Sequence, residues 1–260
     1  MVFKKLLSAF GVGGPSIETI LRDSNVRPGG IIVGDIHLTG GDSAAEILGI
    51  NVALVTRVEV ESGDNEYTQN EKYAKAHLSG AFQLQPGVRH SFPFQLEAPW
   101  ETPLTHMYGQ PLRGTTVGVA TELEVARAVD ATDLDPVAVH PLPAQERILA
   151  AFSNLGFHFR NADCEKGRIY GVTQLLPFYQ EIEFHPGGRY AQSFKQLEVT
   201  FVSNPQTTEV ILELDKRAVF GNSHDTFSRF TVPNVGFENT NWEQEIDAFL
   251  QQAGRKRGFF

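Results

Sequence analysis

The chain has 260 residues, 41% of them hydrophobic and 20% charged, with a formal net charge of −9 at pH 7. That composition supplies apolar material for one large core or two ordinary ones and excludes wholesale disorder. The acidic balance argues against broad nucleic-acid binding, which needs a basic surface to displace counterions from phosphates. The single cysteine, Cys164, excludes an intrachain disulfide and fits a reducing cytoplasm.

Phe3, Leu6, Leu7 and Phe10 recur at helical spacing, so residues 2–10 read as a short helix with one apolar stripe, Lys4 and Lys5 beside it. Packing on the body of the protein is the plain expectation for such a stripe; contact with a partner or a membrane surface stays open beside it. Gly11, Gly13, Gly14 and Pro15 end the helix. Their GxGG lacks the preceding strand and the GK[ST] that a phosphate loop needs. No stretch reaches the roughly 18 uninterrupted apolar residues of a membrane-spanning helix.

From Ser16 the chain reads as strands. In NVRPGGIIVGDIHLTGG a Pro-Gly-Gly turn at Pro28, Gly29 and Gly30 precedes a strand. Ile32, Ile36 and Leu38 lie on one side of it, Ile31, Val33, Asp35 and His37 on the other. A period of two returns over residues 47–61, 73–84, 91–97 and 115–127, separated by turn-rich pieces such as APWETPLTHMYGQPLRG. With no helical pattern between these strands, an antiparallel sandwich accounts for them better than parallel βαβ units. The stretch DATDLDPVAVHPLPAQ, rich in acids and prolines, reads as a stiff connector. It divides the chain into a domain over 1–132, a linker over 133–143 and a second domain over 144–260.

In the second half, residues 144–155 read as a helix from Ile148, Leu149 and Phe152. Strands are expected over 167–172, 178–184, 196–203, 208–216 and 226–233. A second Pro-Gly-Gly at Pro186, Gly187 and Gly188 echoes the first and points to two related β-domains in tandem. The chain closes with a helix that Asn241 can cap. Trp242, Ile246, Phe249 and Leu250 form its apolar stripe, which docks either on its own domain or on a partner.

Catalytic patterns are sparse. Ser223, His224 and Asp225 are adjacent, but a hydrolytic triad is a spatial arrangement, and neighbours in sequence point in different directions. The eight histidines show no HxH or HExxH spacing, so no zinc site is indicated. His158, Asp163, Cys164 and Glu165 would ligate a metal only if a turn gathered them, and a polar hairpin is the simpler reading. The acidic residues 61–66, ESGDNE, read as a solvated hairpin tip. No catalytic, cofactor-binding or metal-binding residue is therefore assigned. The expected function is non-catalytic, with exposed strand edges and sheet faces as docking surfaces for other proteins.

FKKLLSAFGVGG, VRPGGIIVGDIHLTGG, INVALVTRVEVE, FPFQLEAPWETPLT and FGNSHDTFSRFTVP occur in this order, and together they resemble the SpoOM sporulation-control family of bacterial arrestin-like proteins. The resemblance implies a mainly all-β fold: two tandem arrestin-like antiparallel β-sandwich domains with short N- and C-terminal helices. It also implies a cytoplasmic regulatory or scaffold protein that acts by protein–protein interaction, without a cofactor. The alternative is a peripheral membrane or envelope-associated structural protein anchored by the N-terminal helix; self-association stays open. Arrestin-like folds further imply a polar core between the domains, a cluster of paired charges that can serve as a switch. Its candidates here are Asp130, Asp133 and Asp135 with Arg22, Arg27 or Arg160.

Overall fold

The computed structural model describes residues 13–63, 65–127, 130–216 and 226–255. The chain separates into two compact units: residues 1–57, 69–105 and 116–140 form the first, and residues 58–68, 106–115 and 141–260 the second. The Phe3, Leu6, Leu7 and Phe10 stripe and the Ser223-His224-Asp225 run lie outside the described residues.

The first seven strands are β1 (Ser16–Leu21), β2 (Asn25–Val26), β3 (Ile31–Thr39), β4 (Ala45–Ser62), β5 (Asn65–Ser79), β6 (Phe82–Leu84) and β7 (Arg89–Glu97). The short β8 (His106–Met107) and β9 (Gln110–Pro111) pair with each other, and β10 (Val117–Val125) and β11 (Ala131–Val139) follow. In the first unit one sheet runs β1-β3-β7, all antiparallel. The other runs β4-β10-β11-β2, with β5 and β6 also paired to β4. The period of two is realised as read: Ile32, Ile36 and Leu38 of β3 and Phe94 and Leu96 of β7 are buried. So are Ile50, Val52 and Leu54 of β4 and Val117, Val119, Thr121, Leu123 and Val125 of β10. The acidic hairpin tip turns at Gly63, between β4 and β5.

Two motifs that stand far apart in sequence interlock. Gly29 of the first Pro-Gly-Gly adopts φ +78°, and its N–H donates to the Ala98 carbonyl at 2.8 Å, while Ala98 N–H donates to the Gly30 carbonyl at 2.8 Å. A Cβ on Gly29 would stand 2.4 Å from the Trp100 ring. Glycine is therefore required there twice, by backbone conformation and by space. The APWETP loop thus locks the start of β3 to the end of β7.

Residues 133–143, expected as a linker, fold differently. β11 continues to Val139 as a strand of the first unit, and the chain passes to the second unit after His140. Pro136 is accommodated because β11 is flanked on its far side by β2 only at Ala138 and Val139. Beside Pro136 that edge has no ladder bond for the missing N–H to forfeit. Asp133 and Asp135 belong to this strand, and the exposed Asp130 stands just before it.

The second unit contains α1 (Pro143–Asn154), β12 (Phe157–Lys166), β13 (Phe178–Pro186), β14 (Phe194–Ser203), β15 (Thr207–Lys216), β16 (Thr226–Pro233) and α2 (Trp242–Arg255). Its strands form one antiparallel order, β12-β13-β14-β15-β16, with Glu165 of β12 also paired in parallel to Glu59 at the end of β4. Helices pack on the inner face of these strands. Phe152 of α1 stacks on Phe184 at 6.0 Å and meets Phe157 edge-on at 5.8 Å, and Trp242 of α2 stacks on Phe230 at 5.8 Å. The strand expected over 167–172 is instead part of a loop, and β12 precedes it as a strand not marked by the alternation. The second Pro-Gly-Gly also differs from the first: it ends β13 and enters a 3-10 turn, with Gly188 at φ +52° and no atom within 4 Å of where its Cβ would stand.

This contrast yields a prediction. Gly29→Ala should destabilise the protein by about 1 kcal/mol or more beyond Gly188→Ala, because only the first adds an aromatic clash to the left-handed penalty. Urea denaturation measures both, and equal losses would contradict the interlock.

Candidate functional site: an acidic sheet face

Alternation along the second unit's strands sends one set of side chains inward and the other outward. Ala162 and Cys164 of β12, Phe178, Gln180, Ile182 and Phe184 of β13, Leu197 and Val199 of β14, and Leu212 and Leu214 of β15 are buried. The outward set is acidic: Asp163 and Glu165, Glu181 and Glu183, Glu198, and Glu213. Register then sets like charges against each other. Glu183 is paired with Glu198 and Glu198 with Glu213, while Asp163 stands opposite Glu181. Directly opposed like charges destabilise a sheet. Arg160 meets this row, donating to Glu183 at 3.1 Å and to Gln196 at 2.7 Å.

The electrostatic consequence is large. Burial, reinforced by Glu183, Glu59, Glu165 and Glu198, pushes Asp163 up to about 7. Burial together with Glu198, Asp163, Glu165 and Glu213 pushes Glu181 up to about 8. Glu165 and the Tyr179 hydroxyl are raised for the same reasons. Carboxylate oxygens of Asp163, Glu165 and Glu181, and of Glu181, Glu198 and Glu213, lie within 4.8 Å of one another. Oxygen donors so grouped are of the kind a hard cation takes. Cys164 points to the opposite, buried face, and His158 is exposed near Gly187, so the four residues from His158 to Glu165 are not gathered as a set.

A cavity of about 610 Å3 opens on this face. Tyr179, Thr200 and Ile211 line it together with Glu181, Glu198 and Glu213, and residues 168–172 form its edge. The bordering loop is built around Gln174. Its buried amide donates to the carbonyls of Gly167 at 2.9 Å, Leu176 at 2.7 Å and Phe178 at 3.1 Å, and its carbonyl accepts from Ile169 N–H at 3.0 Å. Arg168 donates to the Gln174 carbonyl at 2.6 Å, and Arg229 of β16 donates to the Gly171 carbonyl. So tethered, the loop holds Tyr170 fully in solvent and Leu175 at 74% exposure.

The polar-core candidates find partners of other kinds. Asp133 is buried and accepts from Thr19 N–H at 2.7 Å and from Leu134 N–H at 2.9 Å. It takes up an amide on the side of β1 away from β3 and so ties the two sheets of the first unit together. Thr19 and Thr121 hydroxyls lie 2.7 Å apart beside it. Asp130 is exposed and accepts from Val125 N–H at 3.2 Å, and Asp135 is half-buried on β11. Arg22 forms its ion pair with Asp35, at 3.0 Å, and Arg27 is exposed. Among the described partners, none of the three arginines joins one of these three aspartates.

On α2, Trp242, Ile246 and Leu250 are buried and Phe249 is half-buried. Gln244 N–H donates to the Asn241 side chain at 3.2 Å, the expected cap. Arg147 of α1 holds Glu243 through two hydrogen bonds, one of 2.8 Å, and keeps its carboxyl down at about 2. Trp242 Nε1 donates to the Phe237 carbonyl at 2.8 Å. The stripe is thus engaged within its own unit.

Fold and site define a class: a β-rich, arrestin-like protein whose most developed surface is a charged sheet face. The family model described as SpoOM protein matches residues 3–218. The sporulation-control protein spo0M of Bacillus subtilis (strain 168) is 36% identical over 220 residues, covering 83% of this chain and 81% of that protein. A crystal structure of Spo0M, sporulation control protein, from Bacillus subtilis aligns with a TM-score of 0.79 at 30% identity, over 93% of this chain and 99% of that one. The chain belongs to the SpoOM family.

Two predictions follow the geometry. Asp133→Ala leaves the buried Thr19 amide without its acceptor and should cost about 1–3 kcal/mol, whereas Asp133→Asn, which retains an oxygen, should cost less; thermal denaturation compares them. For the acidic face the folded values lie above the unfolded ones, so the folded state holds extra protons. Stability should then be highest near the ordinary carboxylate range and fall as pH rises from about 4 toward 8. Glu181→Gln should flatten that decline and gain about 0.2–1 kcal/mol at pH 8.5 by relieving like-charge opposition, as read from urea denaturation at several pH values.

Proposed function

We propose that this SpoOM-family protein is a non-catalytic cytoplasmic regulator that works as a scaffold, by binding other proteins. Membership of a family named for sporulation control supports the regulatory part. The observation that carries the docking part is the outward face of β12–β15, where carboxylates stand opposite one another at a cost to the fold. A structural role would be served as well by threonine or lysine at those positions. Repulsion retained on a surface favours a role in which something else supplies the compensating charge.

Affinity capture of the intact chain from its source cells, quantified against an unrelated immobilised acidic protein, tests this reading. Discrete proteins enriched with the chain in the soluble fraction are the expected result. Enrichment of nothing above that control would overturn it.

A further inference from the structure

Strands β4, β5 and β10 of the first unit border a hollow of about 440 Å3. Register sets Ala53 opposite Ala120 and Asn51 opposite Glu122 there, and the two alanines are too small to fill the space. Its polar wall comes from β5, where Lys72, Lys75 and His77 are all exposed and all line the hollow. Regular alternation would not bring those three together. A strand turns residues 72, 74 and 76 to one side, yet exposure on β5 falls on Lys72, Lys75 and His77, with Tyr73 buried.

The phase changes at Ala74, which stands at φ +50°. Alanine takes that left-handed conformation at a cost, and a local irregularity of this kind re-aims the side chains that follow it. Here it brings Lys75 and His77 to the side of Lys72. Gly49 of β4 is a second departure from strand-forming sequence in the same place. A Cβ on it would stand 3.0 Å from the His77 ring. The glycine therefore keeps room for the imidazole, as glycine within a strand does where another group approaches closely.

Outer partners hold the groups so gathered. The Asn51 amide donates to Glu124 at 2.6 Å, and its carbonyl oxygen lies 2.9 Å from His77 Nδ1. A carbonyl oxygen only accepts, so Nδ1 carries the proton and Nε2 is the nitrogen left for a ligand. Lys72 is paired with Glu122, which occupies the carboxylate that lines the hollow. Among the described residues no carboxylate is paired with Lys75. We propose that this hollow binds a phosphate-class oxyanion. Lys75 and Lys72 meet its charge as compact ammonium groups, and His77 Nε2 shares a proton with one of its oxygens. The volume exceeds that of the bare anion and suits a small phosphorylated molecule or headgroup.

The test titrates the intact protein with inorganic phosphate at neutral pH and constant ionic strength, reading backbone amides and histidine ring signals by NMR. The His77 ring and the amides around Ala74 should shift saturably, while the rings of His158 and His185 in the second unit stay in place. Lys75→Ala should weaken binding at least tenfold with no lower melting temperature, because it removes an exposed group without a carboxylate partner among the described residues. Lys195→Ala, which removes a cation paired with Asp215 in the second unit, should leave binding unchanged. Co-sedimentation with phosphatidylcholine vesicles, with and without phosphatidic acid, distinguishes the source of the anion. Sedimentation that needs phosphatidic acid and is lost in Lys75→Ala assigns a lipid headgroup, and phosphate shifts without sedimentation assign a soluble molecule. Shifts spread evenly over all histidine rings, an undiminished affinity in folded Lys75→Ala, or neither saturable shift nor sedimentation would overturn the proposal.

Discussion

The buried inner face of β12–β15 is the constraint around which the second unit is arranged, and the opposed carboxylates of the outer face follow from it. A strand with alternate residues buried must commit the other half to the opposite face. Here the buried half is dense with aromatic side chains, Phe157, Phe178, Phe184 and Phe194 among them, so register is fixed by the core. The outer side chains cannot slip to relieve their repulsion without turning Phe184 or Leu197 into solvent. Inner packing, worth about 1.5–3 kcal/mol for each large apolar side chain buried, outweighs like-charge opposition of about 0.2–1 kcal/mol per pair. The face therefore keeps its charge because the core does not let the strands move.

The first unit solves a different problem. Its two sheets must be held face to face, and beyond apolar contact they are tied by Asp133 on β11 accepting the Thr19 amide of β1. The Pro-Gly-Gly turn and the Trp100 loop fix the other end of β3. A buried carboxylate given amide donors is a stabilising device, and a half-buried carboxylate set opposite others on a sheet face is the reverse. Carboxylates thus provide cohesion in one unit and like-charge opposition in the other.

Much of this was legible in the sequence. Period-two patterns located β3, β4, β7, β10, β14, β15 and β16, helical spacing located α1 and α2, and the motif order pointed to the family. What stayed hidden has physical causes. β11 was masked by Pro136, tolerated where the neighbouring edge has no ladder bond to lose. β12 was masked because its outward residues are acids and its inward ones, Ala162 and Cys164, are small, which weakens the alternation. The loop after it resembled a strand in composition, since Ile169, Tyr170 and Val172 are strand formers, but Gln174 supplies the backbone partners that a sheet would otherwise give. The acidic face itself could not be read along one strand. It exists only through register across four, although the recurrence of Glu between apolar residues in FYQEIEFH, KQLEVTF and EVILELD was its visible trace.

Charge repulsion stored on that face is tested most directly by titrating its individual carboxyl groups by carbon-detected NMR on the intact protein. Asp163 should titrate near 7 and Glu181 near 8, with Glu243, held by Arg147, near 2 in the same spectra. Ordinary midpoints near 4 for Asp163 and Glu181 would show that the face stores no such repulsion, and the explanation built on it would fail.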